Sequence, residues 1–116
     1  MKVGFPVKAL HLLGGVAGWG ASRAFDGPTI LSVQLRYAGG QTETVDLQDG
    51  VHFVDYVADA LEVPGSKRAP GVVSEHQIRV ITIPVSKAAA LERIVLSSPG
   101  HGTTAVTAAI TAETVP

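Results

Sequence analysis

Two alternating apolar runs meet at a pair of glycines, and this junction constrains the fold more than any other feature. From Thr29 to Tyr37, Leu31, Val33, Leu35 and Tyr37 share one parity while Ser32, Gln34 and Arg36 take the other. Ala38-Gly39-Gly40 follows, and Gln41 to Leu47 alternates again. A period of two puts one set of side chains on each face of a strand, and adjacent glycines accept the positive φ of a tight turn. The stretch therefore predicts a β-hairpin with one oily face.

Strand-like runs recur along the rest of the chain, separated by turn residues. Val7 to Leu12 alternates. Gln77 to Val85 is rich in Ile and Val, with Ile78 and Val80 opposed by Arg79 and Ile81, which predicts a strand buried on both faces or lying at an interface, ending at Pro84. Arg93 to Ser97 and Thr103 to Thr111 complete the set, the last with Thr104, Val106, Ala108 and Ile110 on one face. Val51 to Leu61 reads equally as a helix, with Phe53, Val57 and Leu61 four apart and Asp49 as a cap, or as an irregular strand. Ser86 to Leu91 predicts a single turn. Short strands about ten residues apart with turns between them predict an all-β jelly-roll sandwich with at most one short helix.

The chain has 116 residues, enough for one core, so 1–116 is read as a single domain. An apolar fraction of 46% excludes a disordered chain. Nine basic residues against ten acidic ones lack the electropositive footprint of a nucleic-acid binder, and none is expected as a partner. The absence of cysteine removes disulfides, thiolate metal sites and thiol nucleophiles. No apolar run has the length to span a bilayer, so no membrane partner is expected. The first two dozen residues imitate a secretory signal, but Pro6, Lys8 and His11 break the apolar run.

Several segments in order resemble a known module: His11 to Gly20 (HLLGGVAGWG), Leu35 to Gly40, Asp49 to Tyr56, Gln77 to Arg79, and Thr103 to Thr111. Together they resemble the C-terminal β-sandwich module, of galactose-binding or carbohydrate-binding type, found in large exported proteins of Planctomycetes and related bacteria. Those proteins often carry a dehydrogenase-like propeller and a c-type cytochrome segment. The resemblance implies carbohydrate as the ligand class and an extracellular or periplasmic location. Family members have additional strand sequence before the position of Lys2. A missing strand would leave its neighbour's edge open, which predicts a homodimer through an exposed edge strand.

The loop from Gly14 to Pro28 holds the residue types that sugar recognition needs. Trp19 offers an apolar face and an N–H donor, and Arg23 and Asp26 can bond hydroxyls. Tyr37 and Tyr56 are further stacking candidates. For Trp19 taken alone, a plug at one end of the sandwich is the favoured reading, because tryptophan is highly buried on average. GGVAGWG lacks the Gly-Lys-Ser/Thr ending of a phosphate loop and any βαβ unit of a dinucleotide site. His11, His52, His76 and His101 show no metal-ligand spacing and are read as structural or solvated. His11 is placed in the core or at its boundary, bonded to backbone, with a small jelly-roll metalloprotein as an alternative. Asp46 and Asp49 are read as turn or capping residues. Arg79 and Arg93 are expected on neighbouring strands lining one face, where they could hold a carboxylate or acidic sugar. No catalytic residues, metal or other cofactor are expected. The sequence reads as a non-catalytic module that binds glycan, or alternatively as a structural module that pairs with a second copy or a partner domain.

Overall fold

A computed structural model describes residues 1–17, 29–53, 63–70, 78–99 and 104–115. Eight strands run in chain order: β1 (Lys2–Phe5), β2 (Val7–Ala17), β3 (Thr29–Tyr37), β4 (Thr42–Gln48), β5 (Lys67–Arg68), β6 (Arg79–Pro84), β7 (Leu91–Ser97) and β8 (Thr104–Thr114). They form two four-stranded antiparallel sheets, ordered β1-β7-β3-β4 and β5-β6-β2-β8. The fold is an all-β sandwich, with no helix among the described residues. Ser86 to Ala90 is irregular rather than a helical turn, and the Val51–Leu61 segment is described only as far as Phe53.

The hairpin forms as its alternation requires. Val33 faces Val45 and Leu31 faces Leu47 across β3 and β4, with Gly39 and Gly40 at φ +92° and +88° in the turn. Leu31, Val33, Leu35 and Tyr37 point inward and are all buried. They meet Leu10, Leu12, Ile81 and Ile83 from the second sheet, and Leu47, Leu91 and Ile94 from their own, in one core. Burying each such aliphatic side chain is worth about 1.5–3 kcal/mol, so this shared interior holds the sheets together.

Two runs depart from a simple alternating reading. In β6, Arg79, Ile81 and Ile83 face inward, whereas Thr82 and Pro84 are exposed, so this strand is covered on one face only. In β8, the register shifts where Leu13 pairs with Ala109 and Gly14 with Thr107, which leaves Ala108 as an extra residue. The bulge reverses parity: Ile110 packs against the core, but Val106 is 53% exposed. Strand β2 runs on through Gly14 and Gly15, where the sequence suggested a loop. Gly14 makes the bulge feasible, because a methyl group there would sit 2.6 Å from the Val106 carbonyl oxygen.

Candidate functional site

The two ends of the sandwich are built differently, and this locates the candidate site. At one end the connections are short: Pro6 between β1 and β2, Ala38 to Gln41 between β3 and β4, and Val85 to Ala90 between β6 and β7. At the other, β2 and β4 finish, β3 and β6 begin, β7 finishes and β8 begins. The registers Thr29↔Gln48, Gly14↔Arg79, Ser32↔Ser97 and Ala17↔Thr104 bring these strand ends together. The three long connections, β2–β3, β4–β5 and β5–β6, all start and finish there, together with the shorter β7–β8 connection.

Arg79 forms the floor of this loop end. It is 0% exposed, and its guanidinium points away from solvent because the parity of Ile81 and Ile83 carries it inward. Its Nε donates to Ser66 Oγ at 2.9 Å, and Nη2 donates to the carbonyls of Ser66 at 2.7 Å and Val63 at 3.2 Å. Ser66 Oγ in turn donates to the His52 carbonyl at 2.6 Å. A fixed planar fork of donors suits arginine to tying several carbonyls together. The buried cation thus fastens the β4–β5 connection to the first residue of β6.

His52 completes this floor from the β4 side. Its Nδ1 accepts the Gln48 backbone N–H at 3.0 Å, so the proton of the neutral ring resides on Nε2. Burial holds the imidazole below its ordinary pKa. Phe53 is buried beside Gly14, and Asp49, which bridges to Phe53, is likewise buried. Asp49 thus sits in the turn that the Val51 and His52 N–H groups close onto the Gln48 carbonyl, as a buried polar member of this end.

Of the candidate ligand residues, Trp19, Arg23, Asp26 and Tyr56 lie outside the described residues, as do His76 and His101. The connections that carry Trp19, Arg23, Asp26 and Tyr56 are anchored at the loop end. Tyr37 does not join them. It ends β3, roughly 25 Å along that strand from Thr29 at about 3.3 Å per residue. Its ring is buried, and its hydroxyl donates to Glu43 Oε2 at 3.1 Å. Burial first, then the hydrogen bond and charge of Glu43, push the phenol up to about 12. A ring so placed offers no face for a sugar to stack on; Tyr37 is a core residue.

Two further expectations are corrected by the strand pairing. Arg79 and Arg93 lie in different sheets, the first pointing into the core and the second out to solvent. His11 stands on the outer face of its sheet and bonds side chains, not backbone: Nδ1 with Thr82 Oγ1 at 3.0 Å and Nε2 with Glu113 Oε2 at 3.1 Å. Lys8 Nζ reaches the other Glu113 oxygen at 3.1 Å. The His11 bond, then Lys8, lowers the Glu113 pKa. The order hydroxyl, imidazole, carboxylate resembles a proton relay, but it lies across an open sheet face with Lys8 66% and Glu113 44% exposed. Water screens such a network strongly. Among the described residues no three metal-ligating side chains cluster.

Comparison of the chain with family models, with curated proteins and with solved structures finds no match.

Proposed function

We propose that this sandwich is a non-catalytic binding module whose recognition surface is the loop end, with a carbohydrate as the ligand. The observation that carries this reading is the gathering of the long connections at one end. One of them bears Trp19, Arg23 and Asp26 in its sequence and another bears Tyr56, and Arg79, Ser66 and His52 are hydrogen-bonded together at the end from which they leave. Sandwich folds present variable loops on a scaffold whose own stability does not depend on them. An indole supplies a stacking face for the apolar side of a pyranose, and Arg and Asp supply a donor fork and an acceptor pair for its hydroxyls. One aromatic platform covers little area, so affinity is weak. Retention on immobilised neutral oligosaccharides tests the reading. At least one sugar should delay the protein, and Trp19→Ala should lose that delay tenfold or more with an unchanged circular dichroism spectrum. Failure of every sugar to retain the protein, or equal retention of the variant, overturns it.

A second reading, assembly through an open edge, is favoured by β8. This strand pairs with β2 along one side, and Thr104 to Ala112 carries no charge. A long uncharged edge is a template for another strand. Antiparallel pairing with a second copy, centred on Ala109, sets Thr107 opposite Thr111 and Ala105 opposite Glu113, so no like charges meet. Sedimentation should then show a concentration-dependent dimer that Ala109→Pro dissociates. A monomer at every concentration would exclude it.

A further inference from the structure

We infer a second binding site, for an acidic oligosaccharide, on the outer face of the β1-β7-β3-β4 sheet and remote from the loop end. Its core is a row of cations that only strand pairing reveals. Lys2 on β1 is the register partner of Arg93 on β7, and Arg93 is the partner of Arg36 on β3. All three are exposed and point outward, because their neighbours Val3, Ile94, Leu35 and Tyr37 pack into the core. Three positive side chains therefore stand abreast on adjacent strands, about 4.8 Å apart from one strand to the next.

Like charges directly opposite one another on a sheet destabilise it. Here two such juxtapositions fall in sequence, and no ion pair to Lys2, Arg36 or Arg93 relieves them among the described residues. Glu92, on the register irregularity beside Arg93, reaches none of the three. Beside the row lies a depression of about 580 Å³ lined by Lys2, Val3, Gly4, Arg36, Glu92 and Arg93. A ligand bearing regularly spaced anions would replace the repulsion with charge-assisted hydrogen bonds, the two guanidinium forks matching carboxylates bidentately.

The remainder of the face selects among polyanions. Gln34, Thr42 and Thr44 flank the row, and Arg36 Nε donates to Gln34 Oε1 at 2.7 Å, which aims the guanidinium along the face. Amides and hydroxyls beside cations complement a ligand that alternates hydroxyls with carboxylates. Among the described residues the outer face bears no aromatic on which a nucleobase could stack. Tyr37 is turned inward, and Phe5, although exposed on β1, pairs with buried Leu91 and lines a separate depression with Thr114 and Val115. Asp46 and Glu92 at its borders oppose a dense phosphate backbone. A chain of uronic acid residues fits this mixture; an oligonucleotide does not.

Titration calorimetry at low salt with three probes tests the site: hexagalacturonate, its methyl ester and hexathymidylate. Hexagalacturonate should bind, and added salt should weaken it. The methyl ester and hexathymidylate should each bind at least tenfold more weakly. Arg36→Thr with Arg93→Thr should weaken hexagalacturonate at least tenfold while raising the thermal midpoint, because the repulsion is removed and threonine suits a strand. Trp19→Ala should leave hexagalacturonate binding unchanged, which separates this site from the loop end. No binding, equal binding by the double variant, a lowered midpoint in that variant, or hexathymidylate binding as tight as hexagalacturonate would each overturn the assignment.

Discussion

The loop end and the turn end of the sandwich are closed by opposite kinds of chemistry. At the turn end Tyr37 fills the corner, a two-glycine turn reverses the chain, and Glu43 accepts the hydrogen bond of the phenol. At the loop end a fully buried guanidinium, a half-buried imidazole and a buried aspartate occupy the equivalent level. Apolar closure needs little chain, so the turns there are short. Polar closure needs partners for every buried donor, and the backbone of the β4–β5 connection supplies them. The end that carries long connections is thus the end whose foundation is hydrogen-bonded, and those bonds fix the base of the β4–β5 connection.

That contrast can be broken most severely at Arg79. Arg79→Ala strips three donors from the Ser66 hydroxyl and the Ser66 and Val63 carbonyls and leaves a cavity. A loss of about 3–5 kcal/mol is expected, read as a fall in the urea midpoint. Gly39→Ala probes the other end. A side chain at φ +92° is strained, so this change should cost about 1–2 kcal/mol in the same assay, and Gln41→Ala, nearby but exposed, should not. An equal loss from Arg79→Ala and Gly39→Ala would mean that the ends do not differ as described.

Smaller effects separate the ends by pH. Tyr37→Phe removes one hydrogen bond, worth about 1 kcal/mol. Because the folded phenol is raised to about 12 from 10.0, the stability it confers is fully present below pH 10 and is lost as pH rises toward 12. The alkaline decline in midpoint should flatten in Tyr37→Phe. His52 acts in the opposite direction and more weakly. Its folded pKa is depressed, so as pH falls below 6.5 the unfolded chain takes up the proton first and stability declines. His52→Gln should make that acid slope shallower; an unchanged slope would remove His52 from the account.

Much of the sandwich was legible because its signal is local. Leu31 to Tyr37 and Val45 to Leu47 carry their own alternation, and the glycines between them dictate the turn. Parity also holds the clue to Arg79: it shares the inward parity of Ile81 and Ile83, yet arginine in a strand is ordinarily read as solvent-facing. Tyr37 shows the converse. Its inward parity was plain, but a tyrosine among loop candidates invites a ligand role that burial denies it. The bulge at Ala108 was not legible, because its cause is the close approach of Gly14 to Val106, more than ninety residues away in sequence. His11 acquired its partners in the same way, from Thr82 on one neighbouring strand and Glu113 on the other.

Alternation and turn chemistry by themselves determined that the chain makes antiparallel strands with one oily face, since a period of two and a positive φ are properties of single residues and their neighbours. Only the tertiary structure decided which strands lie side by side. Register is set by how two distant faces fit, and it alone could bring Lys2, Arg93 and Arg36 into one row and put Arg79 and Arg93 in opposite sheets.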